Sequence, residues 1–95
     1  MVARLLQEHA VAPFPARLRG EDVAGVDAVV LDADIVGCVE TWLSNREGPP
    51  REHQRLLPEL LEDVDDVVAA LSDPEEVACC RRLRAMARAV LPRGR

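Results

Sequence analysis

Three carboxylates in the second half of the chain are spaced so that they could bind a divalent cation. Glu59, Glu62 and Asp66 recur at steps of three and four residues, which places them on one side of a helix. Carboxylate oxygens are among the ligands that Mg²⁺ takes. A solvated charged face is the commoner reason for carboxylates opposite a leucine stripe, and we favour that interpretation. Glu59, Glu62 and Asp66 are therefore an alternative metal site, and we predict no metal and no other cofactor.

This acidic face can be compared with the magnesium site of all-α nucleotide pyrophosphohydrolases, which add a second acidic pair from a partner helix. In this chain the second pair would have to be Glu75 with Glu76, or Asp27 with Asp34. Glu75 and Glu76 stand at a predicted helix start, where capping explains them. A divalent-metal-dependent nucleotide or phosphate hydrolase is therefore an alternative function, and the main prediction is a protein with no catalytic residues.

A second acidic motif follows the apolar run at 29–31. Asp32-Ala33-Asp34 resembles the first motif of haloacid-dehalogenase-like phosphatases. The resemblance would make Asp32 a nucleophile and Asp34 a general acid/base, with Mg²⁺ bridging the site. That family needs a parallel sheet and typically a lysine near the phosphoryl group, whereas this sequence has no lysine and no other predicted strand. We therefore interpret both residues as polar positions on a mostly buried helix.

Three cysteines and two histidines are the remaining candidates for chemistry: Cys38, Cys79, Cys80, His9 and His53. The Cys-x-x-Cys and His-x-x-x-His spacings that are typical of zinc sites do not occur. A buried free cysteine packs like a small apolar residue, so we predict that the thiols belong to the core. The histidines have no partner nearby in sequence and are predicted to be polar surface residues.

The spacing of apolar residues predicts three main helices, at about 21–45, 51–71 and 74–91. The second has its leucines and valines on one arc, and Pro58 predicts either a kink or a helix that begins near Arg55. The third has the clearest start, with Asp73 as cap and Pro74 at the first helical position. Its inner face is predicted to hold Cys79, Cys80, Leu83, Met86, Ala87 and Val90. The fold class is a small all-α bundle, and the 95 residues are predicted to form a single domain.

The first helix, at 21–45, is the most apolar, and Asp22 or Glu21 could cap it. Because a helix that is apolar over most of its circumference is usually buried, we expect it at the centre, with the acidic and basic helices packed on it. One side holds Ala28, Leu31, Ile35, Cys38, Val39 and Trp42, and another holds Val26, Val29, Val30, Ala33 and Val36. A short strand at Val26–Leu31 is the alternative, since valine-rich runs of this length are ambiguous, and residues 21–31 could therefore be helix or strand.

The N-terminal segment, residues 1–20, is predicted to be partly irregular. A short helix over 1–10 would turn Val2, Leu5 and Leu6 inward. Two prolines around Phe14 then favour an extended stretch, from which Phe14 and Leu18 pack on the bundle.

Charge is divided unevenly along the chain, whose net charge is −5. Residues 1–76 hold six arginines and all seventeen acids, a balance of −11, whereas residues 77–95 hold six arginines and no acid, a balance of +6. Arg81, Arg84 and Arg88 are the candidate interaction surface, either for a partner or against the neighbouring acidic helix. We do not expect nucleic acid to bind, because the acidic remainder would repel a polyanion. A small regulator whose Arg-rich helix contacts nucleic acid is the second alternative function.

Around the stretch Ala16–Leu43, the segments PARLRG and AGVDAVVLDADIVGCVETWL resemble a group of small helical proteins of actinobacteria. The order of a later leucine-rich acidic helix and a final Arg-rich helix extends the resemblance. It implies a bacterial cytoplasmic protein and no particular activity. The charged first turns without a signal peptide, the odd number of cysteines and the lack of a long apolar run also predict the cytoplasm.

The sequence thus favours a helical protein–protein interaction module. A homodimer is one form of it, because a core of Leu, Val and Ala buries little area per side chain and self-association would add burial. The predicted partner is a protein or a second copy, with neither a membrane nor a small-molecule ligand.

Overall fold

The described ranges of the chain form four α-helices, a short 3-10 turn and one β-hairpin. The computed structural model describes residues 2–45 and 50–91. The helices are α1 (Val2–Val11), α2 (Ala28–Ser44), α3 (Arg51–Ala70) and α4 (Pro74–Val90). The 3-10 turn at Ala16–Arg19 and the strands β1 (Asp22–Val23) and β2 (Val26–Asp27) lie between α1 and α2. The all-α class is confirmed, and the short helix considered for residues 1–10 is present as α1, so the count of three main helices is not exact. The hairpin adds a two-stranded element to the helices.

The hairpin explains why the first main helix begins later than predicted. β1 and β2 pair antiparallel, with Val23 opposite Val26. The two residues between them, Ala24 and Gly25, have φ values of 53° and 76°, the left-handed pair that a tight two-residue hairpin turn needs. A helix at 21–27 is therefore wrong. The cap is Asp27, whose Oδ1 accepts hydrogen bonds from the backbone N–H groups of Val29 (3.0 Å) and Val30 (3.3 Å), rather than Asp22 or Glu21.

The helices α3 and α4 have the bounds that their sequence patterns predict to within one residue at their C-termini. α4 begins at Pro74, and the carboxylate of Asp73 accepts a hydrogen bond from the backbone N–H of Glu76 (3.1 Å). α3 begins at Arg51 and continues through Pro58, so the alternative prediction of a helix that begins near Arg55 is wrong. All six residues of the predicted inner face of α4 are buried.

The basic helix α4, rather than the apolar α2, lies at the centre of the bundle. It packs closely against α1, α2 and α3, whereas α2 packs closely on α3 and α4 and less on α1. The hydrophobic core is formed by aliphatic and sulfur-containing side chains from α2, α3, α4 and the 3-10 turn. The predicted packing of the N-terminal segment is confirmed, since Leu18 is buried and Val2, Leu5, Leu6 and Phe14 contact the core.

One side of α2 is buried and the opposite side is exposed to solvent. The predicted inner side is confirmed for Ala28, Leu31, Ile35, Cys38 and Val39. The prediction of burial around most of the circumference is wrong, because Val29, Val30 and Leu43 remain 36%, 53% and 42% exposed. We call the surface formed by Val29, Val30, Ala33, Gly37 and Leu43 the outward face of α2. No helix among the described residues combines the length and apolar character needed to cross a bilayer.

Pro58 gives a direct test of this helix assignment. It stands at the eighth position of α3, where proline has no N–H to donate and its ring crowds the preceding turn. We expect Pro58→Ala to raise the free energy of unfolding by about 1–3 kcal/mol. Pro74→Ala is the control, since Pro74 occupies the first turn of α4, where proline is favourable, and this change should give no gain. Urea unfolding followed by circular dichroism measures both. An equal response of the two variants would contradict a continuous α3.

Candidate functional site

A groove lies between α1 and α2 and has α4 as its floor. Its volume is about 540 Å³, within the range of small-molecule sites in proteins. α1 contacts α2 less than it contacts α4, and the space left between α1 and α2 forms the groove. Apolar side chains from both helices and from the segment after α1 form much of its walls: Ala3, Leu6, Ala10, Phe14, Val36 and Leu43.

A histidine bridges two charged side chains at the floor of this groove. The side chain of His9 is only 8% exposed, so the prediction of a surface residue is wrong. Its Nδ1 accepts a hydrogen bond from Nε of Arg82 (3.1 Å), and its Nε2 contacts Oδ1 of Asp32. Because Nδ1 accepts from Arg82, Nε2 is the ring nitrogen that can donate to the carboxylate. One imidazole thereby links α1, α2 and α4.

Cys79 lies next to this bridge and gives the group the composition of a Cys/His/Asp site. The geometry is different, because the imidazole Nδ1 faces Arg82 and it is Arg82 that lies against the thiol. Burial raises the pKa of Cys79, and the nearby guanidinium only partly opposes that effect. An activated nucleophilic cysteine has the opposite shift. This arrangement is therefore suited to binding and to positioning, and it does not activate the thiol.

The other two cysteines are free thiols in the core, as predicted. Burial, followed by the charge of Asp34, raises the pKa of Cys38. Burial also raises the pKa of Cys80 to about 11, with smaller contributions from Cys79, Glu76 and Asp32. Both thiols are therefore protonated and unreactive near neutral pH.

The predicted acidic site gains no support from the geometry. Within residues 2–45 and 50–91, no three His, Cys, Asp or Glu side chains converge in a way that could hold a metal ion. Glu59, Glu62 and Asp66 are exposed on α3. The two acids of the Asp32-Ala33-Asp34 motif do not form one site either. Asp32 contacts His9, whereas Asp34 is exposed.

One of the three arginines of the predicted basic surface forms an ion pair with another helix of the chain. Nε of Arg84 lies 3.0 Å from Oδ1 of Asp65 on α3, an ion pair that is not aligned as a hydrogen bond. Arg81 and Arg88 are exposed, and in the part of the chain that the structure describes neither has an ion-pair partner. The three arginines border a shallow hollow on α4. Arg84 therefore contacts the acidic helix as the internal interpretation predicts, whereas Arg81 and Arg88 form no ion pair with the described residues of that helix.

A second polar link fixes the segment that follows α1. Glu76 is 4% exposed, and its two oxygens accept hydrogen bonds from Arg17, with 2.9 Å between Nε and Oε2. This two-point contact raises the pKa of the Arg17 guanidinium and holds the 3-10 turn at the start of α4. Phe14 and Arg19 consequently lie at the mouth of the groove, where the Arg19 guanidinium stacks 5.1 Å from the centre of the Phe14 ring.

Comparison with known proteins gives no family for this chain. No protein-family model, curated protein or solved structure matches it. The resemblance to small actinobacterial proteins therefore stays a prediction, and any function has to be argued from the groove and the surfaces beside it.

The two histidines give a matched test of the bridge. His9→Leu removes the partner of both Asp32 and Arg82, and we expect it to lower the free energy of unfolding by about 1–3 kcal/mol. His53 is partly buried, and its Nδ1 has no hydrogen-bond partner within the described residues, so His53→Leu should cost little or nothing. Chemical denaturation of the two variants compares them. Equal losses would show that the bridge adds no stability.

Alkaline pH tests the burial of the thiols. The folded pKa of Cys80, about 11, lies above its ordinary value of 9.0, so unfolding releases a proton in this window. The free energy of unfolding should fall as the pH rises from about 9 to about 11. The sequence has neither lysine nor tyrosine, so the cysteines are the side chains that titrate there. Urea unfolding across this range should show the decline, and Cys80→Ala should make it shallower, with the remainder due to Cys38 and Cys79, whose pKa values are also raised. A flat profile for the unmodified chain would contradict the assignment.

Proposed function

We propose that the chain is a non-catalytic protein–protein interaction module and that its partner is a second copy of itself. The outward face of α2 is the observation that supports this most directly. An exposed helix face opposite a buried stripe is usually charged. On α2 this face instead has three partly exposed aliphatic side chains, Val29, Val30 and Leu43. An apolar surface of this kind on a small protein is typical of a contact surface.

Small residues at the middle of this face favour a helix as the occupant. Ala33 is exposed, and a β-carbon placed on Gly37 would meet no atom within 4 Å. Two helices approach more closely where the side chains at their contact are small. Val29 and Leu43 at the two ends supply larger apolar groups. The small residues Ala33 and Gly37 therefore leave room for another helix to approach.

A second copy of α2 fits this face in the antiparallel direction. Val29 and Leu43 are each seven residues from Val36, so a two-fold axis near Val36 would place Val29 of one copy beside Leu43 of the other. Such a contact is the same on both copies and closes at a dimer.

Charges on this face and beside it agree with that direction. Arg19 lies beside Val29 and Asp32, with which it lines a small cavity. Glu40 is exposed one turn before Leu43. Antiparallel pairing about Val36 places Glu40 of one copy opposite Asp32 of the other. Arg19 lies beside Asp32, so each Glu40 also meets a guanidinium group, which gives two ion pairs by symmetry. Parallel pairing would instead place the two Glu40 side chains together, and like charges repel.

The two alternative functions have less support. The hydrolase would use Glu59, Glu62 and Asp66, which do not form a metal-binding group in the structure. The nucleic-acid regulator would use Arg81, Arg84 and Arg88, but Asp65 already pairs with Arg84. The rest of the chain is strongly acidic and would repel a polyanion.

The mass of the chain in solution tests the proposal. We expect sedimentation equilibrium at micromolar concentrations to give twice the mass of one 10.4 kDa chain. Ala33→Arg places a charge at the centre of the outward face and should give the mass of a single folded chain. Ala69→Arg is the matched control, because Ala69 is also an exposed helical alanine but lies on α3, and it should remain dimeric.

A charge exchange then tests the antiparallel direction. Arg19→Glu and Glu40→Arg should each weaken the dimer, and the double variant should restore much of the lost affinity. A mass of one chain for the unmodified protein at every concentration would contradict the proposal. A dimer that Ala33→Arg leaves intact would contradict the assigned surface.

A further inference from the structure

From the groove between α1 and α2, we infer a binding site for a small zwitterion with an apolar side chain, of the α-amino-acid class. The sequence predicts no small-molecule ligand, and the groove is the observation that argues for one. Its polar floor carries both signs of charge, its walls are largely apolar, and its volume is about 540 Å³. Pockets of this size with a few converging polar groups are typical of small-molecule sites.

The carboxylate of Asp32 has an oxygen available for a ligand. Oδ1 contacts Nε2 of His9, whereas Oδ2 accepts no hydrogen bond from any residue that the structure describes. The side chain is 26% exposed, and Asp32 lines the groove. An ionised carboxylate oxygen in a partly buried position is a favourable acceptor for an ammonium group.

Arg82 supplies the opposite charge on the other side of the imidazole. Its Nε donates to His9 and its guanidinium lies against the thiol of Cys79. Across residues 2–45 and 50–91, no carboxylate forms an ion pair with it. A guanidinium has five N–H donors, so further donors are available in the groove for a carboxylate.

Charge balance in the groove argues for a ligand that carries both charges. Asp32 and Glu40 offset Arg82 and Arg19, all of which line the groove. A simple anion would face the two carboxylates, and a simple cation would face the two guanidinium groups. An α-amino acid has its ammonium and carboxylate groups on one carbon atom. It can therefore reach Asp32 and Arg82 at once, on either side of the His9 ring.

The walls favour an apolar side chain on this ligand. Leu6, Phe14, Val36 and Leu43 line the groove and are all partly exposed there. Covering them with an aliphatic or aromatic group removes apolar surface from water, which is favourable in proportion to the area buried. The small residues Ala3 and Ala10 of α1 leave space for that group.

Isothermal titration with L-phenylalanine and L-leucine tests the site. N-acetyl-L-phenylalanine and L-phenylalanine methyl ester each lack one of the two charges. We expect the free amino acids to bind and each derivative to bind at least about tenfold more weakly, because one buried group of the site then loses its partner. If neither L-phenylalanine nor L-leucine binds at millimolar concentration, the inference is overturned. It is also overturned if a derivative binds as tightly as L-phenylalanine itself.

Variants assign the two contacts to residues. Asp32→Asn and Arg82→Met should each weaken binding by at least about tenfold. The controls are Asp66→Asn and Arg81→Met, which change an exposed carboxylate on α3 and the arginine next to Arg82. Circular dichroism establishes whether each variant is folded. If a variant is not folded, the titrations of the unmodified chain with the amino acids and their derivatives still test the ligand site. Unchanged binding in folded Asp32→Asn or Arg82→Met would overturn the assigned contacts.

The groove and the proposed dimer contact share lining residues, among them Leu43 and Glu40, so a second copy on the outward face of α2 would compete with the ligand. Ala33→Arg, which the proposed function predicts to be a single chain, alters the outward face of α2 and leaves Asp32, His9 and Arg82 in place. It should still bind L-phenylalanine. Loss of binding in this variant would show that the ligand site requires the second copy and would overturn a site complete within one chain.

Discussion

The imidazole of His9 is the contact on which the arrangement of the helices around the groove depends. It accepts from Arg82 on α4 and contacts Asp32 on α2 while itself belonging to α1. α1 has only ten residues and few large apolar side chains, so its own helix propensity and burial hold it weakly. A buried ring that satisfies two charged groups fixes its position along α4 and its distance from α2. With α1 in that position, the groove remains open between α1 and α2, and α1 does not cover the outward face of α2.

The composition of the chain explains why so much of α2 stays exposed. The core contains no tyrosine, and the single phenylalanine and single tryptophan are only partly buried. In a chain of this size, a core built from aliphatic side chains cannot cover every apolar surface. α4 takes the central place because its inner face is flanked by residues that bond outward: Glu76 to Arg17, Arg82 to His9 and Arg84 to Asp65. The most apolar helix is left at the edge, with a surface that self-association would cover.

The parts of the fold that local chemistry determines were predictable from the sequence. The cap at Asp73, the proline after it and the spacing from Cys79 to Val90 together define α4. The start of α2 was not predictable from spacing alone, because it depends on the left-handed conformations of Ala24 and Gly25. Alanine rarely adopts a positive φ, so the residue type did not indicate a turn.

The candidate site was harder to predict because its residues are distant in sequence. Asp32 is 23 residues from His9, and Arg82 is 73 residues from it. One signal was present, since His9 continues the spacing of Val2, Leu5 and Leu6 on the inner side of α1 and therefore falls on a buried face. Its partners could not be identified, because a helical pattern specifies which side is buried and leaves the neighbouring helix unspecified.

The pairing of two copies of α2 is the central claim, and an isotope-filtered NOE experiment tests it most directly. A sample mixed from ¹³C-labelled and unlabelled chains reports only contacts between copies. Antiparallel pairing predicts intermolecular NOEs between the methyl groups of Val29 and Leu43 and between the α-protons of Gly37 and the Ala33 methyl group. Intermolecular NOEs from another surface, or none at concentrations where the chain is saturated as a dimer, would contradict it.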